Sequence, residues 1–135
     1  MELGLKDKGV LVMASSGGIG KAAAAEFARE GARVMLFARS EARLRQTQQE
    51  IADATGGTVQ YRVGDITRPE DVSRVVVETA DALGSLFALV NNSGGPPGGG
   101  FENFNDADWQ KAFELTLLGF IRSISTTFAY ALAVS

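Results

Sequence analysis

The sequence contains no cysteine and no histidine. Without cysteine, these 135 residues can form no disulfide and can offer no thiolate as a nucleophile or metal ligand. Without histidine, they lack the most common general base and the most common metal ligand, so a Ser-His-Asp triad is excluded. Disulfide, thiolate and triad chemistry are therefore absent from this stretch of chain.

Excess positive charge and long apolar runs are also scarce. The formal net charge is −3 and no basic stripe is evident, which argues against nucleic acid as the main partner. The amino terminus has no apolar segment of the kind found in signal peptides. The apolar run Leu83–Val90 is far shorter than the ~20 residues that a membrane span needs, and a buried strand explains it. We therefore expect no membrane span and a cytoplasmic protein.

Apolar runs and amphipathic segments alternate along the chain. Strands are expected at Val10–Ala14, Arg33–Ala38, Thr58–Val63 and Ser85–Asn91, and helices at Lys21–Glu30, Glu41–Ala54, Pro69–Gly84 and from Asp106 or Asp108 towards Ala133. Thr67 is the expected cap of the third helix, and Asp106 or Asp108 that of the last.

This alternation predicts right-handed crossovers and a parallel sheet with helices on both faces. The expected fold class is a doubly wound α/β (Rossmann) sheet with strand order 3-2-1-4. Residues 1–135 are interpreted as a single dinucleotide-binding domain that is incomplete, with the fourth strand at an open edge.

A glycine-containing turn joins the first strand to the first helix. Gly18–Ala23 fits the dinucleotide pattern G-x-G-x-x-A, and Met13–Gly20 fits T-G-x-x-x-G-I-G with Ala14 in the place of the first glycine. Glycine lets a ligand approach the backbone, and the helix that follows offers unpaired N–H groups to an anion. A tight turn that binds nothing is the alternative interpretation.

An arginine follows the second strand. An acidic residue about 20 positions past such a turn binds the 2′-hydroxyl of NAD, whereas an arginine suits the 2′-phosphate of NADP. Ala38 and Arg39 occupy this place, so the sequence favours NADP(H), with NAD(H) less favoured. The alternative is a solvated arginine at a strand end. Arg43 and Arg45 are assigned to the exposed face of the next helix.

Two polar segments follow the third and fourth strands. Asp65 could accept a hydrogen bond from an adenine amino group or cap the local turn. Asn91–Gly94 lies at the carboxyl end of the fourth strand, near the switch point where open α/β sheets bind ligands. An asparagine-rich turn into a loop is the alternative for this second segment.

Taken together, Met13–Gly20, Arg39, Asp65 and Asn91–Gly94 resemble the short-chain dehydrogenase/reductase family, and most closely its 3-oxoacyl-acyl-carrier-protein reductase-like branch. The similarity runs from about Lys6 to Arg122. It implies hydride transfer between a nicotinamide cofactor and a small carbonyl or alcohol substrate, and a homo-oligomer. The cofactor-binding residues that it implies are Ala14, Ser15, Ser16, Gly18, Ile19, Gly20, Arg39, Asp65, Ile66, Asn91, Ser93 and Gly94.

The sequence departs from the family pattern in ways that bear on catalysis. Ala14 replaces a glycine and Ser93 an alanine, and Thr116 stands at the position of the family's proton-relay asparagine. The resemblance places the family's catalytic serine and Tyr-x-x-x-Lys pair beyond the end of this sequence. Within it, Tyr61 is followed four residues later by Asp65 and Tyr130 by Val134, so no Tyr-x-x-x-Lys occurs.

Two functions are therefore open. The first is the cofactor-binding part of an NADP-dependent oxidoreductase, inactive alone. The second is a non-catalytic nucleotide-binding or oligomerisation module. An apolar last helix and an open strand edge favour association with another chain, as the second function requires.

Overall fold

A computed structural model describes residues 2–134 of the chain. It contains a four-stranded sheet flanked by helices. The strands are β1 (Gly9–Met13), β2 (Arg33–Ala38), β3 (Val59–Val63) and β4 (Ala88–Val90). The helices are α1 (Gly18–Arg29), α2 (Glu41–Thr55), α3 (Pro69–Leu83), α4 (Asp106–Phe113) and α5 (Gly119–Val134). The expected alternation of strands and helices is confirmed.

All strand pairs are parallel, and the order across the sheet is β3-β2-β1-β4. This is the predicted order. Every residue of β1 is buried, which explains why its sequence is a continuous apolar run rather than an alternating one. Because β1 pairs with β2 on one side and β4 on the other, the chain reverses its direction of winding at β1. The carboxyl end of β1 is therefore the place where such a fold binds ligands.

The core consists of two layers, one on each face of the sheet. Alternate residues of β1 point to opposite faces. Val10 and Val12 pack with the apolar faces of α1 and α2, whereas Leu11 and Met13 pack with α3 and with partly buried residues of α5. Both faces of the central strands are covered, as a parallel sheet requires.

The structure corrects two expected helix caps. The residue that precedes α3 is Arg68, not Thr67, and its side chain makes no capping hydrogen bond. The cap of α4 is Asn105, whose side chain accepts from the backbone of Asp108 while the Asp108 carboxylate accepts from the backbone N–H of Asn105. Asp108 thus belongs to a capping box, but as its third helical residue.

The last helix is longer than the sequence indicated. A π-helical turn, Glu114–Leu118, joins α4 to α5, so that the helical segment runs continuously from Asp106 to Val134. The segment has 29 residues. Its most apolar stretch of 18 residues has a mean hydropathy of 1.5, and 11% of that stretch is buried. The expectation that no apolar segment reaches membrane-spanning length is therefore wrong by length and composition. One such helix is weak evidence for a membrane span.

One side of this helical segment is exposed and apolar. Its large side chains recur every three or four residues and are between 42% and 65% exposed. We call this surface the apolar stripe. It comprises Phe113, Leu117, Ile121, Ile124, Phe128 and Leu132.

Candidate functional site

The carboxyl ends of the four strands open into one cleft of about 1020 Å³. It lies between the turn that precedes α1, the start of α2, the turn after β3 and the loop after β4. The lining residues are Ala14, Ser16, Gly17, Gly18, Ile19, Phe37, Ala38, Arg39, Ser40, Arg43, Gly64, Asp65, Ile66, Thr67, Asn92, Ser93, Gly94, Gly95, Lys111 and Leu115.

The turn before α1 presents a helix amino terminus to this cleft. Gly17 is the residue that precedes α1, and no side chain caps the helix. The first N–H groups of a helix have no partner within the helix, and they carry its positive dipole end. Gly18 has φ +54°, and no other atom lies within 4 Å of the position that a Cβ would take. The turn can therefore bind an anion closely through its backbone.

Ala14 adopts a backbone conformation that favours glycine. Its φ is +49°, in the left-handed region that costs an ordinary residue about 1–2 kcal/mol. This is the position where the sequence departs from the expected glycine. The Ala14 carbonyl accepts a hydrogen bond from Nδ2 of Asn92 at 3.2 Å, which ties the end of β4 to the end of β1. The turn is formed despite the methyl group.

Gly20 is the closest point of contact between α1 and this turn. It is buried, and a Cβ placed on it would lie 2.4 Å from the Ala14 carbonyl oxygen and 2.9 Å from Nδ2 of Asn92. Gly20 therefore has no room for a side chain. Gly20 thus lets the helix pack closely against the turn, and its implied contact with the cofactor stays a prediction.

Ser15 faces the interior. It is fully buried, and its hydroxyl donates to the Val12 carbonyl at 2.8 Å and accepts from the backbone N–H of Phe37 at 2.9 Å. Its own N–H donates to the Phe37 carbonyl. Ser15 thus extends the pairing of β1 with β2 beyond the last strand residue. Its hydroxyl is thus fully engaged inside the protein, and the implied contact of Ser15 with the cofactor stays a prediction.

Arg39 and Asp65 lie at the far end of the cleft from β4. Oδ1 of Asp65 accepts from both the backbone N–H and the hydroxyl of Thr67, at 2.9 and 2.7 Å. Burial raises the pKa of Asp65, but these two hydrogen bonds and the positive charges of Arg39 and Arg68 together bring the pKa below its usual value. Asp65 is thus a carboxylate at neutral pH. Asp65 caps the local turn, which is one of the two roles predicted for it, and it also borders the cleft.

The two asparagines after β4 have different partners. Asn92 borders the cleft and holds the Ala14 carbonyl, as described above. Asn91 does not line the cleft. Its Oδ1 accepts from the hydroxyl of Ser123, a buried residue of α5, at 2.5 Å. Asn91 therefore connects the end of the sheet to the last helix.

Comparison with known proteins identifies the family. The sequence profile described as short chain dehydrogenase matches residues 8–133. The chain belongs to the short-chain dehydrogenase/reductase family. The resemblance inferred from the glycine turn, Arg39, Asp65 and the Asn91 segment is confirmed.

Among curated short-chain dehydrogenase/reductase relatives, an uncharacterized oxidoreductase, YvrD, of Bacillus subtilis (strain 168) is 32% identical over 123 residues, 91% of this chain and 46% of the relative. Glucose 1-dehydrogenase of Gluconobacter oxydans (strain 621H) is 42% identical over 87 residues, 64% of this chain and 33% of the relative. The chain thus spans half or less of the length of these relatives.

Solved structures of the family share the fold. A short chain dehydrogenase from Mycobacterium smegmatis superimposes with a TM-score of 0.88 at 34% identity, covering 93% of this chain and 53% of that one. L-Sorbose reductase from Gluconobacter frateurii, solved with NADPH and L-sorbose, gives a TM-score of 0.85 at 30% identity, covering 96% and 51%. The Rossmann-type sheet of the chain is therefore the family's sheet.

The structure brings most of the residues implied by the short-chain dehydrogenase/reductase pattern to one cleft. Those that line it are Ala14, Ser16, Gly18, Ile19, Arg39, Asp65, Ile66, Ser93 and Gly94. Ser15, Gly20 and Asn91 do not, and each has the internal contact described above. Arg43 was assigned to the exposed face of α2; it is exposed, but it also lines the cleft.

Sequence reasoning missed other lining residues. Lys111 and Leu115 reach the cleft from the last helical segment, a position that no motif indicated. No role was predicted for Ser40. In the structure it caps α2, because its hydroxyl accepts a hydrogen bond from the backbone N–H of Arg43. A serine directly before Glu41 at the start of a charged helix is the signal that could have revealed this cap.

Thr116 is not one of the described residues that line the cleft. It lies in the π-helical turn, is exposed, and its hydroxyl donates to the Ala112 carbonyl at 2.6 Å. The hydroxyl is thus occupied within its own helix. Nothing in this arrangement reproduces the reach of the amide that the family pattern has at this position.

Proposed function

We propose that this chain is the cofactor-binding part of an oxidoreductase that uses NADP(H) to interconvert a small carbonyl compound and its alcohol. The observation that carries the proposal is the cleft itself, where an uncapped helix amino terminus faces the switch point of the sheet and Arg39 lines the end farther from β4. L-Sorbose reductase and an actinorhodin polyketide ketoreductase, both solved with NADPH, support the choice of cofactor.

The residues present fit a dinucleotide phosphate. The open space at Gly18 and the free N–H groups of α1 suit a pyrophosphate. Arg39 has no carboxylate within 4.0 Å among residues 2–134, so its planar fork is available for a 2′-phosphate. The Asp65 carboxylate, kept ionised by its surroundings, can accept from an adenine amino group. Ile19, 81% exposed beside the turn, offers apolar surface.

The nicotinamide would supply the hydride chemistry, and this chain would supply binding and orientation. Within these 135 residues no Tyr-x-x-x-Lys pair occurs, and Thr116 occupies its own helix backbone. We therefore assign proton transfer in the whole enzyme to residues outside this sequence, and expect no turnover from the 135 residues alone.

Titration calorimetry with NADPH and NADH tests the cofactor proposal. NADPH should bind more tightly, because only its 2′-phosphate can pair with Arg39. In Arg39→Ala, loss of a charge-assisted contact of about 1.5–3 kcal/mol should weaken NADPH roughly 10- to 100-fold and leave NADH unchanged. Absence of binding to either nucleotide, in a sample whose circular dichroism shows a folded protein, would refute the proposal.

We further propose that the protein is a cytoplasmic homo-oligomer whose apolar stripe is covered by a second copy rather than by lipid. Support comes from the contiguity of the stripe, since soluble monomers rarely expose large contiguous apolar surfaces. Buried polar contacts on the opposite side of the helix, such as Ser123 with Asn91, show that this side is fitted to protein.

Light scattering of the soluble fraction tests this association. The protein should have at least twice the mass of one chain, and Phe128→Glu should convert it to a monomer because a charge would be buried between copies. Val77→Glu, at an exposed valine of α3 outside the stripe, is the matched control and should remain associated. A monomeric parent protein, or recovery only in the membrane fraction, would contradict the proposal.

A further inference from the structure

Arg43 reaches across the mouth of the cleft to the turn before α1. It lies in the first turn of α2, where its backbone N–H donates to the cap residue Ser40 at 3.4 Å. Its Nη2 atom lies 2.9 Å from the position that a Cβ on Gly17 would take. The guanidinium therefore covers the residue that precedes α1, and it does so where the positive end of that helix faces the cleft.

The charge of Arg43 is not neutralised by the protein. Among residues 2–134, no carboxylate lies within 4.0 Å of its guanidinium. Arg45, two residues further along the same helix, is by contrast paired with Glu41 at 3.3 Å. Arg43 is exposed, so water can solvate its charge, and its place at the cleft leaves that charge available to an anionic ligand.

Arg39 and Arg43 both line this cleft, one directly after β2 and the other in the first turn of α2. Both are exposed, and neither has a carboxylate within 4.0 Å among the described residues. A single arginine suits one negative charge, whereas a phosphate monoester carries close to two at neutral pH. Two guanidinium groups that line one cleft, four residues apart in the sequence, match that charge and can each donate two parallel hydrogen bonds.

We propose that Arg43 is a second determinant of cofactor choice, pairing with Arg39 to bind a ribose 2′-phosphate from two sides. This inference rests on the proposed NADP(H) function of the same cleft. The proposed function assigns the choice of cofactor to Arg39 alone. The present inference assigns it to a pair of residues, and the second of them, Arg43, lies in α2 outside any cofactor-binding motif.

The position of Arg43 over Gly17 leaves one competing role, a contact with the pyrophosphate. The two roles differ in what they predict for NADH. A pyrophosphate contact is shared by NADPH and NADH, so its loss would weaken both cofactors equally. A 2′-phosphate contact is made by NADPH alone, so its loss would change the ratio of the two affinities.

The experiment is titration calorimetry of the parent protein and of Arg43→Ala, Arg43→Lys and Arg45→Ala, using NADPH, NADH, 2′,5′-ADP and 5′-AMP as ligands. In Arg43→Ala the dissociation constants of NADPH and 2′,5′-ADP should rise about 10-fold, and those of NADH and 5′-AMP should stay within twofold. Arg43→Lys should fall between, since the charge remains but the planar fork does not. Arg45→Ala, on the same helix with its charge already paired, should match the parent protein.

Three results would overturn this assignment. They are an equal loss for NADPH and NADH in Arg43→Ala, no loss for either, or the same selective loss in Arg45→Ala. None of these results would contradict the proposed function, which is refuted only if the parent protein binds neither cofactor. Unfolding temperatures measured on the same samples show whether a variant has lost its fold, and the exposed position of Arg43 makes such a loss unexpected.

Discussion

Gly20→Ala is expected to lower the free energy of unfolding by about 3 kcal/mol, the upper part of the range for overpacked sites. The added Cβ would lie 2.4 Å from the Ala14 carbonyl oxygen, and backbone atoms cannot move away as the end of a flexible side chain can. Either α1 shifts away from the turn or the turn opens. Because the φ of Gly20 is not positive, the cost is one of space and not of backbone conformation.

Thermal unfolding monitored by circular dichroism measures this effect, which for a chain of this size corresponds to a fall in Tm of roughly 10 °C. Gly94→Ala is the matched control. Gly94 lines the same cleft, but no other atom lies within 4 Å of the place its Cβ would take, so its unfolding should change by less than about 0.5 kcal/mol. Equal stability of the two variants would mean that Gly20 is not the close contact described above.

Ser15→Ala should cost about 2 kcal/mol, within the range for leaving a buried polar group without a partner. The serine hydroxyl is the acceptor for the backbone N–H of Phe37, and alanine leaves that buried donor without one. The Val12 carbonyl loses a partner at the same time. The expected consequence is loosening of β1 from β2 at the end that forms the cleft.

Urea unfolding measures this loss as a shift of the midpoint concentration, provided that the dependence of the unfolding free energy on urea is the same in both proteins. Ser16→Ala is the control, because Ser16 is the adjacent serine, borders the cleft and accepts a bond from Thr47 only through its backbone carbonyl. It should unfold within about 0.5 kcal/mol of the parent protein. A Ser15→Ala protein as stable as Ser16→Ala would show that the buried hydroxyl contributes nothing.

The fold could be predicted well because its signals are local. The apolar runs of β1 and β2 and the amphipathic pattern of α2 define their own types, and alternation of strand and helix restricts the topology to few arrangements. Alternation alone also fits the order 2-1-3-4, so the predicted order 3-2-1-4 rested on the dinucleotide-binding arrangement of such sheets. The ends of elements were predicted less accurately. The fourth strand was expected at Ser85–Asn91 but covers only Ala88–Val90, and the cap of α4 is Asn105. Several capping residues were available there, and only packing selects among them.

The candidate site was predictable as a place but not side chain by side chain. The sequence indicates that Ser15 and Ser16 follow a strand, but not which of them points into the sheet, because the positive φ of Ala14 ends the regular alternation. Arg43 and Arg45 both belong to an exposed helix surface, and a helical pattern cannot tell which one extends over a neighbouring turn. Such differences arise from contacts between segments distant in sequence.

The π-helical turn Glu114–Leu118 has a consequence for the surface of the last helix. In a regular helix each residue turns by about 100°, so that two steps of four residues, as from Phe113 to Ile121, would drift by about 80° around the axis. The wider turn takes up about one extra residue and so cancels most of this rotation. In a regular helix Phe113 would lie about 100° around the axis from Leu132 at the other end of the stripe, and the wider turn brings these two ends closer in angle. A local irregularity in hydrogen bonding thus keeps the two ends of one exposed surface on nearly the same side of the helix.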